Sequence, residues 1–376
     1  ITINAPVVAD TLITVTAGID GTGSVTLDGT APETGSLTTT AAGSDIAITT
    51  GVTTGSITLD GNVTTLDRLT LTSGGTGAIT QPSGTLLSAN LQVTGTGAVT
   101  LNQATNDFGA IAVDLNPGSF SLVDANDVTI GTVATVGIQS GNPATGGDVT
   151  INAPNGTITV DEAISTAVGT GGGITLSGSV DVNAALTAEG GSITLNGAGS
   201  GALDLTLDAD LTSSLSMDLT APRDIIVGGT ASATLTTTGT GADITLTADA
   251  ESTPDGIGGV QIATLGALDS ADAVTLTGSD LFITGGTLDS VEVASDGANT
   301  QIQGAGNILI EDGANAPANA ATIIDGVING TALITITAED DVLLGADGDI
   351  TGLASTVTLS AGTGEILMAD GAIINA

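Results

Sequence analysis

The acidic residues are the side chains of this sequence that could do chemistry. The chain has 41 Asp and Glu residues, two basic residues, no His and no Cys. Oxygen ligands from neighbouring turns are what Ca²⁺ prefers in proteins. Two groups of aspartates have a spacing that suits such a site: Asp340 and Asp341 with Asp347 and Asp349, and Asp208 with Asp210. We therefore take these six residues as candidate Ca²⁺ ligands.

Most of the other aspartates are predicted to be turn residues. An Asp side chain caps its own turn, and a following Gly accepts positive φ. Nine aspartates stand directly before a glycine: Asp20, Asp28, Asp60, Asp255, Asp296, Asp312, Asp325, Asp347 and Asp370. No Gly-Gly-x-Gly-x-Asp array occurs, so a calcium roll of that kind is not expected. The sequence requires no cofactor, and Ca²⁺ is its candidate ligand.

Paired carboxylates raise a second chemistry, the general acid–base cleavage of glycosides. Sites that cleave sugars use aromatic platforms, and lyases use a cation, but the chain has no Trp, Tyr, His or Lys. Its two cations, Arg68 and Arg223, stand beside Asp67 and Asp224 and are interpreted as local ion pairs. We expect no enzyme. The alternative is a carbohydrate-active β-helix enzyme that acts on acidic or neutral polysaccharide.

The net charge of −39 limits the partners of the chain. Nucleic acid is excluded as a partner, because phosphate binding needs clustered Lys or Arg. An anionic membrane surface is disfavoured for the same reason. Membrane insertion is not expected either, since no stretch has the roughly 18 apolar residues that a spanning helix needs.

The elements that carry these side chains are predicted from a repeated phrase. GSITLDG at residues 55–61 recurs as GSVTLDG at 23–29 and as GSITLNG at 191–197. In the first copy, Ile57 and Leu59 share one face of a strand, and Ser56, Thr58 and Asp60 share the other. The phrase therefore predicts a half-buried strand that ends in a turn.

The spacing of the phrase predicts the fold class. Val25 to Ile46 is 21 residues, Ile57 to Ile79 is 22 and Val128 to Val149 is 21. A period near 20 is typical of solenoids, and no apolar stripe with helical spacing is present. We therefore predict an all-β protein, a parallel β-helix of about 17–19 coils with roughly 20–22 residues each.

The same texture continues along the whole chain, so we predict one continuous β-solenoid over residues 1–376. The least regular zone lies near residues 297–332, which we predict to contain a lateral loop. The run from Gly313 to Ala321, rich in Ala and Asn, is its centre.

One segment supports a resemblance to a known family. Residues Leu101 to Gly131 include Asn-Asp-Phe-Gly at 106–109 and Val-Asp-Ala-Asn-Asp at 123–127. This segment resembles repeats of filamentous-haemagglutinin-type exoproteins and related bacterial β-strand-repeat adhesins. The resemblance implies a secreted, right-handed parallel β-helix that is displayed at a bacterial cell surface.

The two ends of the sequence suggest how such a protein assembles. ITINAP at 1–6 nearly repeats the internal VTINAP at 149–154, and GAIINA at 371–376 has the texture of a strand. Bare solenoid ends expose apolar core and unpaired backbone groups. We expect head-to-tail stacking of copies through Ile1, Ile3, Ile373 and Ile374.

The expected function is therefore structural. We expect a subunit of a bacterial extracellular filament or adhesin stalk, located outside the cell, whose partner is another copy of itself. A host cell surface or an extracellular polysaccharide is a further candidate partner.

Overall fold

The computed structural model describes residues 1–18, 21–30, 34–142, 144–168, 171–197, 204–248, 250, 259–263, 266–270, 274–278, 289–293, 301–304, 308–312, 321–324, 327–330, 333–338, 341–345, 348–352 and 356–376. The described residues form strands and turns without a helix, so none of them forms a helix that could span a membrane. The chain divides into two compact units, Ile1–Gly178 with Thr187–Gly191 and Ser179–Leu186 with Ser192–Ala376. The single continuous solenoid over 1–376 stays a prediction.

The strands of the first unit are short and regularly spaced. In chain order they are β1 (Thr2–Ile3), β2 (Pro6–Ala9), β3 (Leu12–Thr16), β4 (Val25–Leu27), β5 (Ser36–Thr39), β6 (Asp45–Thr49), β7 (Ile57–Leu59), β8 (Asn62–Thr64), β9 (Arg68–Thr72), β10 (Ile79–Thr80), β11 (Leu86–Gly95), β12 (Val99–Leu101), β13 (Asp107–Leu115), β14 (Phe120–Val123), β15 (Val128–Ile130), β16 (Ile138–Ser140), β17 (Val149–Val160) and β18 (Ile164–Thr166). Strands β19 (Ile174–Val182) and β20 (Leu186–Ala188) have residues in both units.

The strands of the second unit continue the numbering. They are β21 (Ile193–Asn196), β22 (Leu205–Leu207), β23 (Leu211–Ser213), β24 (Met217–Thr220), β25 (Ile225–Val227), β26 (Ala233–Thr237), β27 (Ile244–Thr247), β28 (Val260–Ile262), β29 (Gly266–Ser270), β30 (Val274–Gly278), β31 (Asp289–Val293), β32 (Gln301–Gly304), β33 (Ile308–Asp312), β34 (Ala321–Ile324), β35 (Val327–Gly330), β36 (Ile334–Ala338), β37 (Val342–Leu344), β38 (Asp349–Gly352), β39 (Val357–Ala361), β40 (Ile366–Met368) and β41 (Ile373–Asn375).

Parallel pairing between successive coils gives the first unit three ladders. The first ladder joins β1, β4, β7, β10, β12, β14 and the start of β17. The second joins β2, β5, β8 and the start of β11. The third joins β3, β6, β9 and the end of β11. Each coil therefore supplies one strand to each ladder, which is the parallel β-solenoid that the sequence predicts.

The second unit has the same organisation. Its first ladder runs from β21 through β24, β27, β30, β33 and β36 to β39. Its second ladder begins at β22 and ends at β40, and its third begins at β23 and ends at β41. The described part of the chain is thus all-β, and the predicted fold class is confirmed.

The coils are longer and fewer than predicted. Six steps along the first ladder lead from Thr2 to Thr150, about 25 residues each, and six steps in the second unit lead from Thr194 to Thr358, about 27 each. These two runs together make 12 turns, so the fold has fewer coils than the 17–19 predicted. The predicted period combined strands of different ladders, because Ile46 pairs with Ile13 in the third ladder and not with Val25.

A dry aliphatic interior holds the coils together. Along each strand the buried and partly exposed residues alternate, since successive side chains of a strand point to opposite faces. One inward column of the first ladder is at most 1% exposed at each of its positions: Val25, Ile57, Ile79, Val99, Phe120 and Val149. Full burial of such a side chain contributes about 1.5–3 kcal/mol, so the stack is the main source of stability.

A column of glycines explains why the repeated phrase begins with Gly. A Cβ built on Gly77 would lie 1.8 Å from the carbonyl oxygen of Gly55 in the preceding coil, and one on Gly97 would lie 2.2 Å from that of Gly77. Separations under 3.0 Å are not tolerated. Only Gly lets the backbones of successive coils approach this closely at the turn that precedes the first ladder.

The zone near residues 297–332, predicted as a lateral loop, contains four strands, β32, β33, β34 and β35. Each of them pairs in parallel with a strand of a neighbouring coil. Residues 313–320, most of the predicted centre, lie outside the described residues. A loop prediction on these residues stays a prediction, but much of the surrounding zone belongs to the ladders.

Candidate functional site

The first pair of candidate Ca²⁺ ligands contacts the backbone of the next coil. Oδ1 of Asp208 accepts the N–H groups of Thr230 at 2.8 Å and Ala231 at 3.2 Å, and its Oδ2 accepts the Thr230 hydroxyl. Oδ1 of Asp210 accepts the N–H of Thr234 at 2.9 Å. Thr230 and Ala231 lie between β25 and β26, and Thr234 lies in β26; these two strands pair with β22 and β23 around the aspartates. Both carboxylates are therefore already engaged in joining two coils.

The pKa of Asp208 agrees with this role. Burial of the carboxyl acts to raise its pKa, but hydrogen bonds from Thr230, Ala231 and Gly229 together hold the pKa below its ordinary value. Hydrogen bonding to the charged form of a carboxyl favours ionisation. Asp208 is thus an ionised acceptor between coils at neutral pH.

The second group of candidate Ca²⁺ ligands is only partly described. Asp340 and Asp347 lie outside the described residues. Asp341 accepts the N–H of Glu365 at 2.8 Å, and Asp349 is the partly exposed first residue of β38. The described residues include no group of three or more acidic, His or Cys side chains that could hold a metal ion. A Ca²⁺ site at residues 340–349 stays a prediction.

The contact made by Asp208 recurs along the chain. We call it an inter-coil carboxylate contact: an Asp carboxylate accepts a backbone N–H of the following coil. Oδ1 of Asp148 accepts the N–H groups of both Gly172 and Gly173 at 3.0 Å. Further examples join Asp127 to Thr157, Asp210 to Thr234, Asp224 to Gly259 and Asp341 to Glu365. Hydrogen bonds of this charge-assisted kind are stronger than neutral ones.

A buried amide pair lies in the turn between the first and second ladders. Nε2 of Gln81 donates to Oδ1 of Asn106 at 2.8 Å, and Nδ2 of Asn106 donates to Oε1 of Gln81 at 2.8 Å. Asn106 also accepts the N–H of Leu86 and donates to the carbonyl of Leu101. Asn106 is 0% exposed and Gln81 is 5% exposed. The pair satisfies both side-chain amides and links two coils.

Asp124 continues this polar turn into the next coil. Its carboxylate is 0% exposed and accepts the N–H groups of Phe108 at 2.9 Å and Asn126 at 3.0 Å. Burial raises the pKa of Asp124 to about 6, against the two hydrogen bonds that lower it. A carboxyl with such a pKa suits general acid work, but this one is closed to solvent and contacts only the chain itself.

The resemblance segment contains this same polar turn. Its Asn-Asp-Phe-Gly includes Asn106 and Phe108, and its Val-Asp-Ala-Asn-Asp includes Asp124. The sequence identified these residues as distinctive but did not reveal that they face one another across coils. Partners separated by 16 to 25 residues carry no local signal, because only the stacking of coils brings them together.

Of the two predicted arginine pairs, Arg223 with Asp224 is confirmed and Arg68 with Asp67 is wrong. Arg68 pairs with Asp45 of the preceding coil at 2.8 Å, and not with its neighbour Asp67. Asp67 instead accepts the side-chain N–H of Asn90. Arg223 pairs with Asp204 at 2.9 Å as well as with its predicted neighbour Asp224 at 3.4 Å. Parallel stacking places Asp45 opposite Arg68 in the third ladder, which explains the correction.

The predicted assembly residues lie in the first and last coils of the described chain. Ile1 is 56% exposed, Ile373 is 55% exposed and Ile374 is 37% exposed, while Ile3 is partly exposed. Ile1 precedes Thr2, which pairs with Thr26, so Ile1 occupies the inward position that Val25 holds in the next coil. Ile374 pairs with the buried Ile350 and is likewise inward. In these two coils several inward side chains are exposed, although Ile13 and Val15 of β3 in the first coil are buried.

These features define a parallel β-solenoid whose acidic and amide side chains join successive coils. Comparisons with protein-family models, with curated proteins and with solved structures found no match for this chain. The likeness to filamentous-haemagglutinin-type exoproteins stays an interpretation of residues 101–131.

Proposed function

We propose that this chain is a structural subunit of a bacterial extracellular filament or adhesin stalk, which assembles by end-to-end stacking of its coils. The proposal is supported by polar side chains that form hydrogen bonds with the neighbouring coil. Asp208, Asp148 and the Gln81–Asn106 pair all bind the neighbouring coil. Side chains arranged in this way resist separation of the coils, which is what a load-bearing rod needs.

The observation that carries the proposal is the parallel stacking of the coils, in which each coil covers the inward aliphatic side chains of its neighbour. In the first coil the inward Ile1 and Val7 are 56% and 39% exposed. In the last coil the inward Ile366, Met368 and Ile374 are 45%, 49% and 37% exposed. Side chains at the equivalent inward positions of interior coils, such as Leu37 and Ile57, are 0% exposed. Covering these aliphatic side chains is favourable at about 25 cal/mol per Å².

A second copy matches the first and last coils strand for strand. Its β1 would extend the first ladder beyond β39, its β2 the second ladder beyond β40, and its β3 the third beyond β41. The first and the last coil each have three strands in the same order. Along these strands, inward and outward side chains alternate in the same way. A heterologous contact of this kind does not close, so it yields a filament.

The test uses the whole 376-residue chain and single substitutions in the first and last coils. We expect the wild-type chain to form fibres visible by electron microscopy and to sediment faster as its concentration rises. Val7→Glu and Ile374→Glu should each leave a soluble monomer with an unchanged β circular dichroism spectrum, because each buries a charge in the contact.

Val136→Glu is the matched control, since Val136 is 63% exposed in the turn between β15 and β16, away from the terminal coils. This variant should polymerise like the wild type. A wild-type chain that stays monomeric at high concentration would show that end-to-end stacking is wrong. The described residues hold no specific observation that favours the alternative, a carbohydrate-active enzyme.

A further inference from the structure

A polar cleft of about 270 Å³ lies on the outer surface of the first unit. It borders the ends of third-ladder strands in four successive coils, β13, β16, β18 and β20. The polar side chains that line it are those of Asn116, Gln139, Ser140, Asn142, Ser165 and Glu189. The aspartates of the inter-coil carboxylate contacts and the Gln81–Asn106 pair do not line this cleft. Among its lining residues, Ser140 bonds to a neighbouring coil.

The register of the coils places donors and acceptors in a row along the cleft. Gln139 pairs with Ser165 at an outward position, so the two side chains stand one above the other on the outer face. Asn116 and Glu189, both exposed, lie beside this row, directly after the ends of β13 and β20. In the described part of the chain, the side chains of Gln139 and Ser165 have no hydrogen-bond partner, which leaves them available to a ligand.

Part of the wall is fixed by internal hydrogen bonds. Oδ1 of Asn142 accepts the N–H groups of Ala144 at 2.9 Å and Thr145 at 3.0 Å, which closes a tight turn. The Ser140 hydroxyl donates to the carbonyl of Gly118. The floor and one side of the cleft are therefore pre-organised, and pre-organisation lowers the cost of binding.

The chemistry of the lining selects the class of ligand. No basic side chain lines the cleft, and Glu189 together with the net charge of −39 repels anions. No aromatic side chain lines it, and its polar atoms would be left unsatisfied against an apolar ligand. Amide, hydroxyl and carboxylate groups at the spacing of the coils suit a neutral molecule that carries many hydroxyl groups.

The length of the cleft favours a chain of sugars. Successive coils lie about 4.8 Å apart, close to the length of one pyranose unit in an extended glycan. Each coil along the cleft can thus offer one polar side chain to one sugar ring. We propose that this cleft binds a neutral, extended oligosaccharide of hexose units, held by Gln139 and Ser165. This inference is independent of end-to-end assembly.

Binding is tested by saturation-transfer NMR titrations of the full chain. The probes are the neutral tetrasaccharides of β-1,4-linked glucose, α-1,4-linked glucose and β-1,4-linked mannose, with tetragalacturonate as the anionic comparison. We expect at least one neutral probe to bind with a Kd of about 1 mM, since no aromatic platform is present. Tetragalacturonate should not bind.

Gln139→Ala should weaken binding about fivefold, the loss expected for one neutral hydrogen bond. The control is Asn196→Ala, which removes an exposed amide at the end of β21 in the second unit and should leave binding unchanged. Equal melting temperatures would show that both variants fold. Absence of binding by every neutral probe overturns the proposal, and so does binding that is equal in the wild type, Gln139→Ala and Ser165→Ala.

Discussion

At the scale of single residues, Asp124 shows how burial and hydrogen bonding compete over one carboxyl. Burial disfavours the charged form, whereas the N–H groups of Phe108 and Asn126 favour it. Burial prevails, and the pKa of Asp124 rises from 3.8 to about 6. The folded chain therefore binds this proton more tightly than the unfolded chain does, and the stability of the fold depends on pH through it.

The sign of that dependence follows from the raised pKa. The contribution of Asp124 to stability is fully present below pH 3.8 and is lost as the pH rises through about 6. In Asp124→Asn the side chain cannot ionise, and like the protonated acid it offers only one good acceptor. From pH 4 to pH 7 we expect the free energy of unfolding to change in favour of the variant by at most about 3 kcal/mol.

Chemical denaturation of both proteins at each pH measures this difference. Because the two chains share their other acidic residues, the titration of those residues largely cancels. A difference in unfolding free energy that stays constant between pH 4 and pH 7 would mean that Asp124 has an ordinary pKa in the folded chain.

At the scale of elements, the inter-coil carboxylate contacts supplement the backbone ladders at the turns. Strands here are commonly three to five residues long, so a large share of the chain lies in turns, where ladder hydrogen bonds are interrupted. An Asp that accepts an N–H of the next coil supplies an acceptor where the backbone offers none. Some of the negative charges of this acidic chain therefore stabilise the stacking of its coils.

Asp148→Ala tests one such contact. The substitution removes the acceptor of the Gly172 and Gly173 N–H groups, so we expect a loss of about 1–2 kcal/mol in unfolding free energy. Hydrogen exchange of these two amides should become faster. The control Asp218→Ala removes the same charge from an exposed, outward position of β24 and should be neutral or slightly stabilising. If the two variants were equally stable, the contact would make no contribution to the free energy of unfolding.

The sequence predicted the features that depend on neighbouring residues, and it missed the features that depend on the stacking of coils. The alternation in Val25-Thr26-Leu27 and its repeats specifies half-buried strands, and those strands are present. Spacing alone could not tell which strands pair, so Ile46 was taken as a repeat of Val25 although it lies in another ladder. The Arg68–Asp45 pair and the Gln81–Asn106 pair were missed for the same reason, since each depends on stacking.

At the scale of the whole molecule, the dominant property is the charge of −39. Both arginines are engaged, with Asp45, Asp204 and Asp224. Nearly all of the acidic charge is therefore compensated by mobile cations alone. Self-repulsion destabilises a compact chain of such charge, and salt reduces it, because the Debye length falls from about 30 Å at 0.01 M to about 8 Å at 0.15 M.

We expect the melting temperature to rise with NaCl, and to rise further in CaCl₂ at equal ionic strength. The rise in NaCl is screening, which any salt provides. The excess in CaCl₂ requires carboxylates that are free to bind the ion. Asp208, Asp210 and Asp341 already accept backbone N–H groups, so within residues 340–349 we expect Asp349 to be the main described source of the excess.

Substitution separates these two sources of stability. Asp341→Ala combined with Asp349→Ala should abolish the excess in CaCl₂ and leave the response to NaCl intact, whereas Asp218→Ala should preserve both. Each comparison is made between melting curves of one protein in the two salts, so the stability lost by the substitution itself does not enter. Identical curves of the wild-type chain in NaCl and CaCl₂ would contradict a specific Ca²⁺ site. Screening would then be the whole effect of cations, as a linear array of carboxylates without converging ligands requires.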